Sequence, residues 1–430
     1  MGIAPLETSG TRQLFGRVWR SQHARDATIL VALNGFARVA SFFGAAYAAR
    51  CLGPANLGLS GLVQATAQQA ALVFNGGFDT VAVRRIAADR ASASRVTNAV
   101  VWFRSIGFLI VTVGWLAVTL AIAPHGQRGP WLLGIPLLAA PAFSLLFVYQ
   151  ALERLPLQNA IVAMLAVGAT GAYLLFFRPG MPAGADLVVI GSVAIVTLVC
   201  SWLIARPMLG GLPRRPTKGE IWSLLRESWP YWVLAAAVWF YANVQLPIVA
   251  LRVGRSDAGL YRAALSLSAV LELLFASINS LLLPRFVVWH RDGMPALWRR
   301  QGRLLGIYVV LGATVLAAAL LVSPHVLPRL LGPAFEGAVP LFGILAASRV
   351  VVFCGQIYSN GLAATGHDGA FLIASLAGVV VGLPGALVLS PRFGARGAAY
   401  AALAAEIVVV SMCFFFMWRA VRRDQRLAAR

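Results

Sequence analysis

Apolar residues occupy this chain in long stretches separated by short segments rich in Gly, Pro and Arg. The stretches fall at residues 28–49, 58–78, 99–123, 131–150, 158–177, 187–205, 229–250, 260–283, 304–323, 339–361, 370–390 and 397–418. Each is close to the ~20 residues that cross a bilayer as a helix. The pattern predicts an all-α polytopic membrane protein with about 12 transmembrane helices. Pro136, Pro141, Pro247 and Pro384 lie inside predicted spans and mark candidate kinks, which membrane helices tolerate. The longest interval, residues 206–228, is rich in Pro and Gly and reads as a hinge. It divides the chain into six spans over 28–205 and six over 229–418, flanked by basic segments at 1–27 and 419–430.

Composition agrees. Of 430 residues, 59% are hydrophobic and 12% charged, about half the charged share of a soluble domain. The formal charge of +21 would suggest nucleic acid in a soluble protein. Here 24 of the 36 basic residues sit in the alternate loops that include both ends of the chain, against 8 in the other loops. The positive-inside rule therefore accounts for the charge. It places both termini in the cytoplasm and leaves no call for a nucleic-acid partner. The segment "TRQLFGRVWRSQ" reads equally as an orienting tail or as a short interfacial helix.

No loop exceeds about 25 residues, too short for a folded catalytic domain. No Walker A loop, dinucleotide loop or nucleophile elbow is present, so no enzyme is expected. Cys51, Cys200, Cys354 and Cys413 stand singly, and the five histidines are isolated. Neither set has metal-ligand spacing, and no cofactor is expected.

The halves look alike. Gly53–Pro–Ala–Asn–Leu–Gly58 follows the first span and Gly254–Arg–Ser–Asp–Ala–Gly259 the seventh. Tyr149 pairs with Tyr358, and Gly184 with Gly394, at offsets of 209 and 210 against 201 for the first pair. Two repeats inserted in the same direction suggest a transporter with its site between them.

Polar residues interrupt the spans. An arginine at a helix centre costs roughly 2.5–3.5 kcal/mol on insertion scales, so Arg38 must find water or a partner. Asn34, Arg38 and Ser41 share one helix face, as do Gln64, Gln68 and Asn75. The seventh span carries Trp239, Tyr241, Asn243 and Gln245. The eighth carries Arg262, Ser268, Glu272 and Asn279. Arg349 and Glu406 lie in the tenth and twelfth. Ion pairs such as Arg38 with Glu272, or Arg349 with Glu406, would tie helices together. Polar faces at equivalent places in both halves point instead to a cavity. With Arg104 counted, the intramembrane charges are four positive and two negative, which prefers an anion. The candidate substrate contacts are Asn34, Arg38, Gln64, Gln68, Gln245, Arg262 and Arg349. Glu272 and Glu406 are candidates for ion coupling. Asp79, Arg84 and Arg85, in "GFDTVAVRRIAADRASASR", stand at the inner mouth. There they would collect anionic headgroups or simply obey the positive-inside rule.

These segments resemble a known family. "AARCLGPANLGLSGLVQA", "NGGFDTVAVRRIA", "GRSDAGLYRAALSL", "SINSLLLPRF", "LGPAFEGAVPLFGILAAS" and "GLAATGHDGAFLIASLAG" are similar, in order, to segments of Wzx-type polysaccharide flippases. That family lies in the multidrug/oligosaccharidyl-lipid/polysaccharide exporter superfamily. The resemblance covers about residues 28 to 418. It implies two six-helix lobes in a MATE-like V and alternating access. It also implies a lipid-linked oligosaccharide cargo on undecaprenyl (polyprenyl) pyrophosphate, moved from the inner to the outer leaflet of a bacterial inner membrane. Arg38 and Arg262 fall on spans where relatives carry cavity arginines, which implies contacts to the pyrophosphate. Membrane lipids, a polysaccharide polymerase and glycosyltransferases are implied partners. A small-molecule exporter of the same fold should show more acidic than basic cavity groups, the reverse of what is seen. A non-transporting scaffold of a polysaccharide assembly complex is the other alternative.

Overall fold

A computed structural model describes residues 22–75, 77–209, 215–280 and 282–428. Residues 11–21 of the basic N-terminal segment and residues 210–214 of the predicted hinge lie outside them. Every regular element among the described residues is helical. In chain order they are α1 (Gln22–Asn75), α2 (Phe78–Ala88), α3 (Ala93–Ile122), α4 (Arg128–Leu132), α5 (Ile135–Ala142), α6 (Leu146–Ala151), α7 (Leu155–Phe176) and α8 (Ala185–Ala205). There follow α9 (Lys218–Asn243), α10 (Gln245–Arg252), α11 (Arg255–Ser280), α12 (Leu283–Arg291), α13 (Met294–Leu331), α14 (Ala338–Ala364), α15 (Asp368–Phe393) and α16 (Ala395–Ala428).

Each of the predicted spans falls on helical backbone, but not one span to one helix. Spans one and two share α1, interrupted at Gly53 (φ 73°, ψ 168°), where the chain turns at Gly53–Pro54. Span four is split into α4, α5 and α6. Eight helical segments are long and apolar enough to cross a membrane, or nine if α9 and α10, bent by 46°, count as one. The α11 segment is outside that number, since Ser268, Glu272 and Asn279 dilute its apolar stretch. Apolar side chains face outward along these helices. Ile110 on α3 and Leu321 on α13 are 65% and 75% exposed, as lipid-facing residues should be.

The largest apolar core joins α11, α13, α14 and α16, where Tyr308, Phe353 and Phe275 stack with ring centroids 4.1 Å apart. The Tyr308 hydroxyl donates to Asn279 Oδ1 at 3.0 Å, and the Asn279 amide donates to Gln356. Two smaller cores lie among residues 59–224.

The bend between α9 and α10 has a chemical cause. Pro247 has no N–H, so the carbonyl of Asn243, four residues back, loses its helical donor. Gln69 of α1 supplies one at 3.3 Å. In return the Trp232 indole of α9 donates to the Leu72 carbonyl near the end of α1 at 2.7 Å. The same end of α1 is met by Arg104 from α3. Its Nη2 reaches the Asn75 carbonyl at 3.2 Å and Asp79 at 2.9 Å. Arg104 is 1% exposed, so the cation sits on the negative end of a helix with one carboxylate beside it.

Removing that carboxylate leaves a buried, half-compensated charge. Asp79→Asn should cost about 1–3 kcal/mol, reduced from the fully buried case because Asp79 is half exposed. The double variant Asp79→Asn/Arg104→Met should recover part of that loss, read as the thermal midpoint of the detergent-solubilised protein.

Candidate functional site

The Pro247 bend opens polar space beside α1. A cavity of about 150 Å³ lies between α1, the α9–α10 junction and α11. Gln64 and Gln68 line it from α1, Asn243 and Gln245 from the junction, and Tyr261, Arg262 and Ser266 from α11. Helical spacing explains the set. Gln64 and Gln68 are one turn apart on one face, as are Arg262 and Ser266. No carboxylate lines the cavity, and its one full charge is a guanidinium. Carboxamides, hydroxyls and one arginine suit phosphate oxygens and sugar hydroxyls.

Arg262 is held from across the molecule. Nη1 donates to the Leu57 carbonyl at 3.0 Å and Nη2 to Gln64 Oε1 at 2.9 Å. Asp186 Oδ2, at the start of α8, lies 3.3 Å from Nη2. A Cβ at Gly61 would stand 2.5 Å from the arginine Cδ, so only glycine leaves the side chain its path. On the far side of the guanidinium a second cavity, about 90 Å³, holds Asp186 and Tyr173.

The paired turns meet just above. A Cβ on Gly58 would overlap the Arg255 carbonyl oxygen, and one on Gly259 would overlap the Pro54 carbonyl oxygen. Pro54 and Arg255 hold the same place in the two GxxxxG turns, so the contact is reciprocal. The turn glycines Gly53 and Gly254 have φ of 73° and 144°, and the later pair, Gly184 and Gly394, have 90° and 62°. All four adopt the left-handed backbone that disfavours side chains.

Of the predicted substrate contacts, the fold brings Gln64, Gln68, Gln245 and Arg262 into one cavity. Arg349 stands elsewhere, on α14, with its Nη1 3.4 Å from Glu272 Oε2. Glu272 thus takes Arg349 as its partner, where the sequence suggested Arg38. The pair lies about 15 Å along α11 from Arg262, ten residues on. Arg38 is exposed on the first half of α1 and lines neither cavity. The side chain of Asn34 lies outside the described residues. Glu406 is buried on α16, apart from both cavities. The inner-mouth residues are engaged. Asp79 holds Arg104, Arg84 donates to the Tyr231 hydroxyl at 2.6 Å, and Arg85 forms a paired contact to Glu227 at 2.6 and 3.1 Å. They join α2 to α9.

Asp186 escaped sequence reading. Two residues after a turn glycine it looks like a helix-start acid in an outer loop, and nothing local connects it to Arg262. Ser266 was findable, one helical turn beyond Arg262.

Residues 23–290 match the polysaccharide biosynthesis protein family. The chain is 21% identical, over 86% of its length and 91% of the relative's, to an Escherichia coli (strain K12) protein described as "Putative O-antigen transporter". Its fold is similar to that of the lipid II flippase MurJ in an inward closed conformation, with a TM-score of 0.73. Identity is 14%, over 90% of this chain and 87% of MurJ. An inward-facing MATE multidrug transporter gives 0.71 at 14% identity, over 90% and 96% of the two chains.

The reciprocal glycine contact generates a prediction. Gly259→Ala should hold the two turns apart. In a protein lacking the native cysteines, Ser60→Cys is buried and should resist a membrane-impermeant maleimide. Adding Gly259→Ala should speed its labelling several-fold, whereas unchanged labelling would show that the close approach does not seal this end.

Proposed function

Because the chain belongs to the polysaccharide biosynthesis protein family, we propose that it is a flippase for lipid-linked oligosaccharide, carried on polyprenyl (undecaprenyl) pyrophosphate, in a bacterial inner membrane. The observation that carries the reading is the cavity between α1, α9–α10 and α11. It holds one guanidinium, four carboxamides and no carboxylate. A diphosphate has the charge for Arg262, and the first sugars have the hydroxyls for Gln64, Gln68, Asn243 and Gln245. The polyprenyl tail stays in lipid.

In this reading residues 28–205 and 229–418 are two six-helix lobes joined through 206–228 in a MATE-like V, with both termini cytoplasmic. Alternating access has two sets of contacts to break in turn. One is Arg262 with Leu57, Gln64 and Asp186, beside the paired turns. The other joins Arg84 and Arg85 of α2 to Tyr231 and Glu227 of α9. Release of the first exposes the headgroup outside, and release of the second admits it from the cytoplasm. The Arg349–Glu272 pair sits deeper along α11, where Arg349 would meet the sugars only after leaving Glu272. Arg38 would meet the headgroup on entry. Glu272 and Glu406 are the remaining candidates for ion coupling.

The test is the leaflet distribution of lipid-linked sugars in cells lacking the protein, read with a membrane-impermeant probe. One pyrophosphate-linked oligosaccharide should accumulate in the inner leaflet, and the wild-type chain should restore export. Arg262→Ala loses charge-assisted hydrogen bonds worth about 1.5–3 kcal/mol, so export should fall about 10- to 100-fold at unchanged expression. Normal distribution without the protein would favour a small-molecule exporter. Full export by Arg262→Ala would remove the guanidinium from the mechanism.

A further inference from the structure

Arg262 has carboxamides on one side and a carboxylate on the other. Asp186 is 3% exposed, neither of its oxygens accepts a hydrogen bond, and it approaches Arg262 Nη2 to 3.3 Å. It stands in the first turn of α8, where the helix favours negative charge. The nearby Gly184 N–H is committed to Ser60 Oγ at 3.2 Å. The charged and titratable groups facing Asp186 are Arg262 from α11 and the Tyr173 hydroxyl from α7. α1 contributes Phe42, Ala46 and Leu57, and α13 contributes Leu331. α5 packs Pro136 against α8, and the Tyr47 hydroxyl is turned to the Phe177 carbonyl.

We propose that Asp186 is the resident counter-ion of the anion site, holding Arg262 until the diphosphate of the substrate replaces it. The inference rests on the function proposed above. Asp186 and the ligand compete for the same guanidinium from opposite sides. A ligand must outbid a buried carboxylate, so a doubly charged diphosphate displaces it where a neutral sugar or a weak monoanion does not. Asp186 is thus a specificity residue as well as a tie between α8 and α11. Once Arg262 turns to the ligand, the carboxylate is left in an apolar cavity of about 90 Å³ without a cation. A buried, unpaired carboxylate is too costly to persist, and neutralisation is the available remedy. Each ligand bound therefore takes up one proton at Asp186, and by linkage acid strengthens binding.

The probe is a short-chain polyprenyl diphosphoryl-monosaccharide, titrated into the purified full-length protein between pH 5.5 and 8. As a diester it lacks the second phosphate ionisation near pH 6. Wild-type binding should tighten by up to about tenfold per unit fall in pH, the signature of one proton per ligand. Asp186→Asn should bind about tenfold or more tightly than wild type at pH 7.5 and lose the pH dependence. Wild-type binding that ignores pH overturns the proposal, and that profile decides the matter even if the variant does not fold. A folded Asp186→Asn protein that binds no more tightly, or keeps the wild-type slope, also overturns it. If neither wild type nor variant binds the diester at any pH, the flippase reading fails and this inference falls with it. Unaltered binding in the variant overturns this inference alone.

Discussion

A guanidinium in an apolar interior needs acceptors, and the helices of this protein are arranged around where its arginines find them. Arg262 is the decisive case. Its acceptors at Leu57, Gln64 and Asp186 come from two helices of the first half of the chain, while the arginine itself comes from the second. Leaving such a charge unmet in the membrane interior would cost several kcal/mol. The first half of the chain is therefore drawn to α11 at this depth. Gly61 lets the side chain through, and the Gly58 and Gly259 contacts let the two backbones close to the distance the arginine requires. Arg104 does the same work locally by gathering the end of α1, the start of α2 and α3 around one charge.

The polar residues of α1 and α9 follow a related constraint, set by the backbone. A proline in α10 frees a carbonyl that lipid cannot satisfy, and Gln69 satisfies it. The resulting bend turns Asn243 and Gln245 toward Gln64 and Gln68. The cavity is thus a by-product of a backbone repair. Its lining is amide-rich because amides both donate and accept, so they can serve backbone and ligand alike.

Much of this was legible in the sequence. Hydropathy and the alternation of basic loops carry the all-helical, multi-pass architecture, since every span must be long and apolar. Gln64, Gln68, Gln245 and Arg262 could be found because a polar side chain inside a span is expensive wherever it stands. The partners were another matter. Glu272 takes Arg349, three helices along the chain, and Arg38 reaches no charge at that depth. Periodicity orders residues around one helix but is silent on which helix faces it. Helix ends were less legible still. Span four breaks into three pieces, and spans one and two run through one turn at Gly53, because local proline and glycine backbone geometry decides these points within a residue or two. Asp186 was invisible for a third reason: an acid in the first turn of a helix is ordinary, and only the fold shows that Arg262, not water, is beside it.

A single cation that both closes the structure and reads the ligand cannot do both at full strength. While Arg262 is spent on Leu57, Gln64 and Asp186, the two parts of the chain are tied and the anion site is discounted by what those contacts are worth. When a ligand takes the guanidinium, the ties weaken by the same amount, because coupling between two events at one group is reciprocal. Gln64 sharpens this exchange, since it lines the ligand cavity and also accepts from the arginine. A ligand that hydrogen-bonds Gln64 and attracts Arg262 attacks the same contact from both ends. The chemistry that favours binding is therefore also the chemistry that loosens the outer contacts, which is what a carrier needs and a static binding pocket does not.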